Sequence, residues 1–271
     1  MLRMPAPAIA SRATENIIAP SPFGIAYATI DMRAGVRGEW EVDLSEDDDR
    51  LRAVQRIRGL AWDSDGSLMV AAADKLRRFA PDGRESWRWS PGRAFGFTVA
   101  CPQAVTVVDE RLVVVSDDGT MALLDEDGRS LVQKKDDFAP RWIAQKDGIP
   151  IGTDGLTITR WNSKNLHMIA EVRLSEKAMG FAANGGYVAT RGLRKVEVYE
   201  ADSLAKVAEF AIGGGLPILA LHSTRQEIAL ADVRSARIVD FEGHEREERP
   251  LDGPVTALAY LGDALLTSCD G

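Results

Sequence analysis

A pattern that returns about every 39 residues constrains this chain more than any other feature. It is clearest at residues 59–83, GLAWDSDGSLMVAAADKLRRFAPDG. A short apolar run ends in Asp63-Ser64-Asp65-Gly66, which reads as a tight turn because Gly accepts positive φ and Asp side chains cap nearby amides. Residues 68–72 form an unbroken apolar run, too short for a helix and suited to a buried strand. A turn at Asp74-Lys75, a run at 76–79, the turn Pro81-Asp82-Gly83 and a fourth run at 85–89 complete the unit. Four antiparallel strands joined by tight turns make one blade of a β-propeller.

The second apolar strand of each unit anchors the repeat. Its first residues are Leu68, Leu112, Ile149, Tyr187, Ile228 and Leu265, at steps of 44, 37, 38, 41 and 37. Each unit reads as buried strand, polar turn, alternating strand, polar turn, outer strand. Helical spacing persists nowhere beyond two turns. The sixth unit opens at Val255 and holds only two strands (254–271), while residues 23–32 and 39–44 near the N-terminus read as two unclaimed strands. The expected architecture is therefore all-β: a six-bladed propeller of four-stranded antiparallel blades, closed by strands from both termini. Residues 1–16 read as a flexible tail and 17–271 as one propeller domain, with 23–44 completing the C-terminal blade. Closure would remove exposed sheet edges.

Composition narrows the function classes. Net charge is −8 and the sequence pI about 5.1. That balance speaks against phosphate neutralisation over a basic face, hence against nucleic acid as a partner, and against docking on anionic lipid. No apolar run approaches the ~18 residues of a membrane span. Two cysteines, Cys101 and Cys269, do not make a secreted disulfide framework. The expectation is a cytoplasmic protein with reduced thiols. The acidic run Glu46-Asp47-Asp48-Asp49 reads as a solvated connector, since a calcium loop wants oxygen ligands at alternate positions around a Gly.

The GLAWDSDGSLMVA…LRRFAPDG stretch resembles the NHL-repeat proteins and the gluconolactonase-like hydrolases, both six-bladed. Its continuation, FAPDGRESWRWS, is similar to quinoprotein-type repeats, in which the Trp of a Gly-polar-polar-x-Trp ending packs between blades. SDDGTMALLD (116–125) resembles the WD-repeat turn and third strand, with Leu124 where that family has Trp. The lactonase resemblance implies an alternative function, a metal-dependent hydrolase holding a divalent ion on the channel axis with a Glu and several Asn or Asp. This chain has only Asn16, Asn162, Asn165 and Asn184, none expected at an inner-strand end. It also lacks the adjacent cysteines of quinoprotein dehydrogenases, and its repeats do not open on Gly-His and close on Trp-Asp as full WD repeats do.

Local motifs for catalysis are sparse. His167, His222 and His244 are far apart in sequence, no Gly-x-Ser-x-Gly elbow occurs, and Gly213-Gly214-Gly215 precedes Leu-Pro rather than a helix. Neither a cofactor nor a metal is expected. A sharper pattern lies in the turn after each second strand, which carries an acid at nearly one offset: Asp74, Asp117 or Asp118, Asp154, Asp232 and Asp270. The fourth unit carries Arg191, Arg194 and Lys195 instead. Asp in such a turn caps backbone amides. A ring of acids on one face also attracts a cation or a basic segment. The expected function is a non-catalytic protein-interaction module, a monomer or a subunit of a bacterial-type hetero-complex, with these residues as the candidate partner face.

Overall fold

The computed structural model describes residues 14–20, 24–31, 35–43, 57–63, 65–72, 75–91, 100–135, 140–184, 186–222, 224–261 and 263–269. Three N-terminal strands, β1 (Thr14–Pro20), β2 (Gly24–Asp31) and β3 (Gly35–Asp43), pair antiparallel in chain order. The first blade is β4 (Ile57–Trp62), β5 (Leu68–Ala72), β6 (Lys75–Phe79) and β7 (Glu85–Trp89). The second is β8 (Pro102–Val108), β9 (Arg111–Ser116), β10 (Thr120–Leu124) and β11 (Ser130–Lys135). The third is β12 (Trp142–Lys146), β13 (Ile149–Thr153), β14 (Thr157–Trp161) and β15 (Met168–Arg173). The fourth is β16 (Gly180–Asn184), β17 (Tyr187–Arg191), β18 (Lys195–Glu200) and β19 (Lys206–Ala211). The fifth is β20 (Leu219–Leu221), β21 (Glu227–Ala231), β22 (Ser235–Asp240) and β23 (Glu245–Pro250). β24 (Val255–Leu261) and β25 (Ala264–Cys269) form a two-stranded sheet.

Five sheets thus have the four antiparallel strands expected of a blade, and their first strands, with β24, lie side by side in chain order. The strands of the two termini are found in separate sheets among the described residues, β1–β3 in one and β24–β25 in the other. The N-terminal segment supplies three strands rather than the two read from the sequence. The additional one, β1, contains Thr14-Glu15-Asn16, polar residues that read as tail.

Burial explains why the strands look as they do. The second and third strands of a blade are covered on both faces. β9 is buried from Leu112 to Ser116 and β10 throughout, so their sequences are continuous apolar runs. The fourth strands have one face in water and alternate, as in β11 and β15. Alternation also sorts the core into layers between blades. Leu112 and Val114 face the first blade, where they meet Met69, Ala71 and Leu76. Val113 and Val115 face the third, where Trp161 and Leu166 wait. Ile151 and Ile158 meet Val188 and Tyr199, and Val196 and Val198 meet Ile228 and Val239. Each contact layer therefore belongs to two blades at once.

Outer edges are stitched the same way. Trp87 on β7 donates its indole N–H to the Glu126 carbonyl at 2.8 Å and packs beneath Gly128, in the turn between β10 and β11 of the next blade. Gly128 has φ +77°, and a Cβ there would lie 2.9 Å from the Trp87 ring. Phe210 and Gly243 repeat the arrangement between the fourth and fifth blades. The expected packing of Trp87 between blades is what the structure shows.

Candidate functional site

Antiparallel order places the turns between second and third strands, and the connections between blades, at one end of every sheet. The candidate residues lie on this end, but their side chains do different things. Asp74 and Asp270 lie outside the described residues. Asp117 Oδ1 accepts the Cys101 amide at 2.9 Å, tying the entry of the second blade to its turn. Asp118 accepts both the amide and the hydroxyl of Thr120 at 3.0 Å, with the Lys135 ammonium 3.6 Å away. Burial pushes the Asp118 carboxyl upward, but Thr120 and Lys135 outweigh it, so it is held below the ordinary carboxylate value. Asp154 Oδ1 accepts the amides of Leu156 and Thr157 at 2.6 and 2.8 Å. Asp232 accepts the Val233 amide at 3.2 Å and faces Arg237 at 3.9 Å. All four described acids spend an oxygen on their own turn or its neighbour.

The three basic candidates diverge. Arg191 is 2% exposed. It ends β17 and points across to the fifth blade, donating from Nη2 to the Gly214 carbonyl at 2.8 Å and from Nη1 to the Ala231 carbonyl at 3.2 Å. Burial, then the nearby Arg237, lowers its pKa, and Asp232 opposes the shift. Lys195 pairs with Glu209 at 2.9 Å on the flank of the blade. Arg194 alone of the three is fully exposed at the turn tip. Glu176, from the connection after β15, caps this turn by accepting the amides of Leu193 at 3.1 Å and Arg194 at 3.3 Å.

The same end carries a feature the charge pattern hides. The tips of three consecutive blades present large apolar side chains to solvent: Leu156 (52% exposed), Leu193 (64%) and Val233 (56%). Met179, on the connection into the fourth blade, adds a fourth at 47%. Backbone bonds hold these positions against one another. The Ala178 amide donates to the Gly155 carbonyl, Met179 to Arg191, and Val255 to Val233. Between Leu193 and Val233 lies the Gly213-Gly214-Gly215 loop, with open space above Gly213 and Gly214. The row was legible in principle, as an apolar residue two or three positions past the second strand inside otherwise polar turns: TDGLT, RGLRK and ADVRS.

Other side chains with chemistry lie elsewhere. The opposite end opens a cavity of about 870 Å³ along β8 and β12, with Asp109, Glu110 and Asp147 at its mouth. Three asparagines serve the main chain: Asn162 and Asn165 accept the amides of Lys164 and His167, and Asn184 donates to the Leu221 carbonyl. His222 is buried. Its Nδ1 accepts the amides of Thr224 and Arg225, which leaves Nε2 to donate to Asp263 at 3.1 Å. His244 is less isolated than the histidine spacing suggests, since its ligand atom lies within 4.8 Å of those of Asp240 and Glu242. Asp240 there caps the turn through the His244 amide and pairs with Arg246 at 3.1 Å.

The sequence matches no protein-family profile and no curated relative. Solved structures do match. The crystal structure of BamB from Moraxella catarrhalis is similar over 97% of this chain and 95% of its own, with 13% identity and a TM-score of 0.60. A chain of the mitotic checkpoint complex is similar over 99% of this chain and 87% of its own, with 15% identity and a TM-score of 0.69. Both are β-propeller proteins. With five four-stranded antiparallel sheets arranged in sequence, this chain is a β-propeller repeat protein.

Proposed function

We propose that this chain is a non-catalytic protein-interaction module, and that it docks its partner on the end of the blades bearing Leu156, Met179, Leu193 and Val233. The observation that carries this reading is that row. Large apolar side chains left about half exposed at three successive turn tips, with Met179 beside them, make an apolar surface of the kind that marks a protein-docking site. A rigid scaffold that displays loops on one end suits binding. One structural neighbour is itself part of a complex, which agrees with this role. In this proposal the arc of blades is completed to six by the strands of the two termini.

The test compares affinity purifications from the native cell of the wild type, the Leu193→Asp/Val233→Asp variant, and Val207→Asp, which places the same charge on the exposed flank of β19. Proteins retained by wild type and Val207→Asp but lost from the double variant are the expected result. An identical set with all three would refute the assignment of the face.

A further inference from the structure

We propose that the partner segment on this face is acidic as well as apolar: an extended stretch in which carboxylates alternate with large apolar side chains. The inference rests on the docking face proposed above and adds the charge of its occupant.

The chain as a whole is acidic, at −8, so a partner chosen by net charge would be basic. The apolar row has the opposite local character. Each of its blades sets an exposed cation beside an apolar tip: Lys177 two residues before Met179, Arg194 after Leu193, and Arg234 after Val233. Among the described residues, none of these three has an ion-pair partner. A Cβ on Gly155 would lie 3.9 Å from Lys177 Cγ, which places that side chain beside the Leu156 turn.

The acids at this end are already engaged. Asp154 is taken by two amides, Glu176 by the amides of Leu193 and Arg194, and Asp232 by the Val233 amide and Arg237. Asp252, exposed beyond Val233, is the exception. An arriving ammonium would meet carboxylates already turned toward backbone amides, and beside them three cations with no ion-pair partner among the described residues. An arriving carboxylate would meet the guanidinium groups of Arg194 and Arg234, whose planar geometry pairs with carboxylates. Between the pairs, the exposed loop at Gly213 and Gly214 leaves open space in which a backbone or a side chain can lie.

Arg191 sets this arrangement from below. Its guanidinium holds the Gly214 carbonyl, and so anchors the Gly213-Gly214-Gly215 loop beside the Leu193 and Val233 tips. It is a positioning residue for the site and does not face the occupant.

The test selects short random displayed peptides on the full chain, with Leu193→Asp/Val233→Asp as counter-target and Arg194→Glu/Arg234→Glu as a second, once both variants match wild type in urea midpoint. Clones that bind wild type only, enriched in Glu or Asp alternating with Leu, Ile or Phe, are the expected result. Their affinity should fall about tenfold or more in Arg194→Glu/Arg234→Glu, and fall with added salt. Should either double variant unfold, Arg194→Gln and Leu193→Ser replace them. Face-specific clones that are neutral or basic would overturn the charge assignment and leave the docking face standing. Clones that fail to distinguish wild type from the variants would overturn both. Vesicles of phosphatidylcholine with phosphatidylserine are the control. Binding to them that is lost in Arg194→Glu/Arg234→Glu would replace the acidic peptide with a lipid surface and overturn the proposal.

Discussion

Replacing Arg191 tests whether one buried guanidinium holds the fourth and fifth blades in register. It makes two bonds to carbonyls of the neighbouring blade, Gly214 and Ala231. A hydrogen bond from a charged donor contributes roughly 1.5–3 kcal/mol net, so two contribute about 3–6 kcal/mol. Against this stands the cost of keeping the charge out of water, which any neutral replacement recovers. Arg191→Ala also leaves a void, so we expect a loss of about 3 kcal/mol. Arg191→Met refills most of that volume. The Ala231 carbonyl keeps the Leu216 amide at 3.1 Å, and exposed Gly214 gains water, so the expected loss is only about 1 kcal/mol. Urea unfolding reads both from the shift in midpoint at constant slope. Gly215→Ala adds a second handle. Gly215 has φ +111°, and its added Cβ would sit 2.6 Å from Arg191 Nη2. Its cost should therefore be larger in wild type than in Arg191→Ala, where the backbone strain and the 3.1 Å approach to the Ala231 carbonyl remain. If Arg191→Ala unfolds within about 0.5 kcal/mol of wild type, the guanidinium is not a bridge between blades, and its role as anchor of the Gly213-Gly214-Gly215 loop fails with it.

Glu209 gives a pH signature. Lys206 first, then Lys195, hold its carboxyl at about 2, below the ordinary 4.5. A lowered carboxylate contributes stability above its unfolded value and loses that contribution as pH falls toward the folded one. Glu209→Gln should therefore melt below wild type at neutral pH, with the gap closing between about pH 4.5 and 2, and a gap independent of pH would refute the pairing. Gly128→Ala should destabilise by about 1–2 kcal/mol from its positive φ alone, more once the Trp87 ring is displaced. Trp87→Ala should cost about 2 kcal/mol, less than a fully buried Trp because the side chain is only partly buried. A fully water-exposed emission from Trp87 would count against the packing it makes with Gly128.

The blades were legible because burial on both faces leaves a simple mark. Residues 68–71 are buried and apolar on both faces of β5, and the strand begins where the apolar run does. The outer strand 85–89 was legible for the opposite reason, since one wet face makes Trp87 and Trp89 alternate with polar residues. The N-terminal strands carry less of either signal. β1 opens on Thr14-Glu15-Asn16 and closes on Pro20, a composition that turns and tails share.

The site was harder to read, because a residue type does not record which way its side chain turns. Arg191, Arg194 and Lys195 form one basic cluster in sequence, yet the first is buried across a blade boundary, the second faces solvent and the third pairs on the flank. The Asp ring looks like a charged mouth, but a carboxylate that caps a turn is local chemistry repeated at every blade, and repetition alone selects no partner. Selection needs what the repeat leaves uncompensated. On this end that is Leu156, Met179, Leu193 and Val233, which burial does not require, and Lys177, Arg194 and Arg234, to which the described residues provide no partner. All seven fall between β13 and β22, so the proposed docking face belongs to three neighbouring blades rather than to every blade equally, and what sets it apart is the part of the pattern that the repeat does not copy.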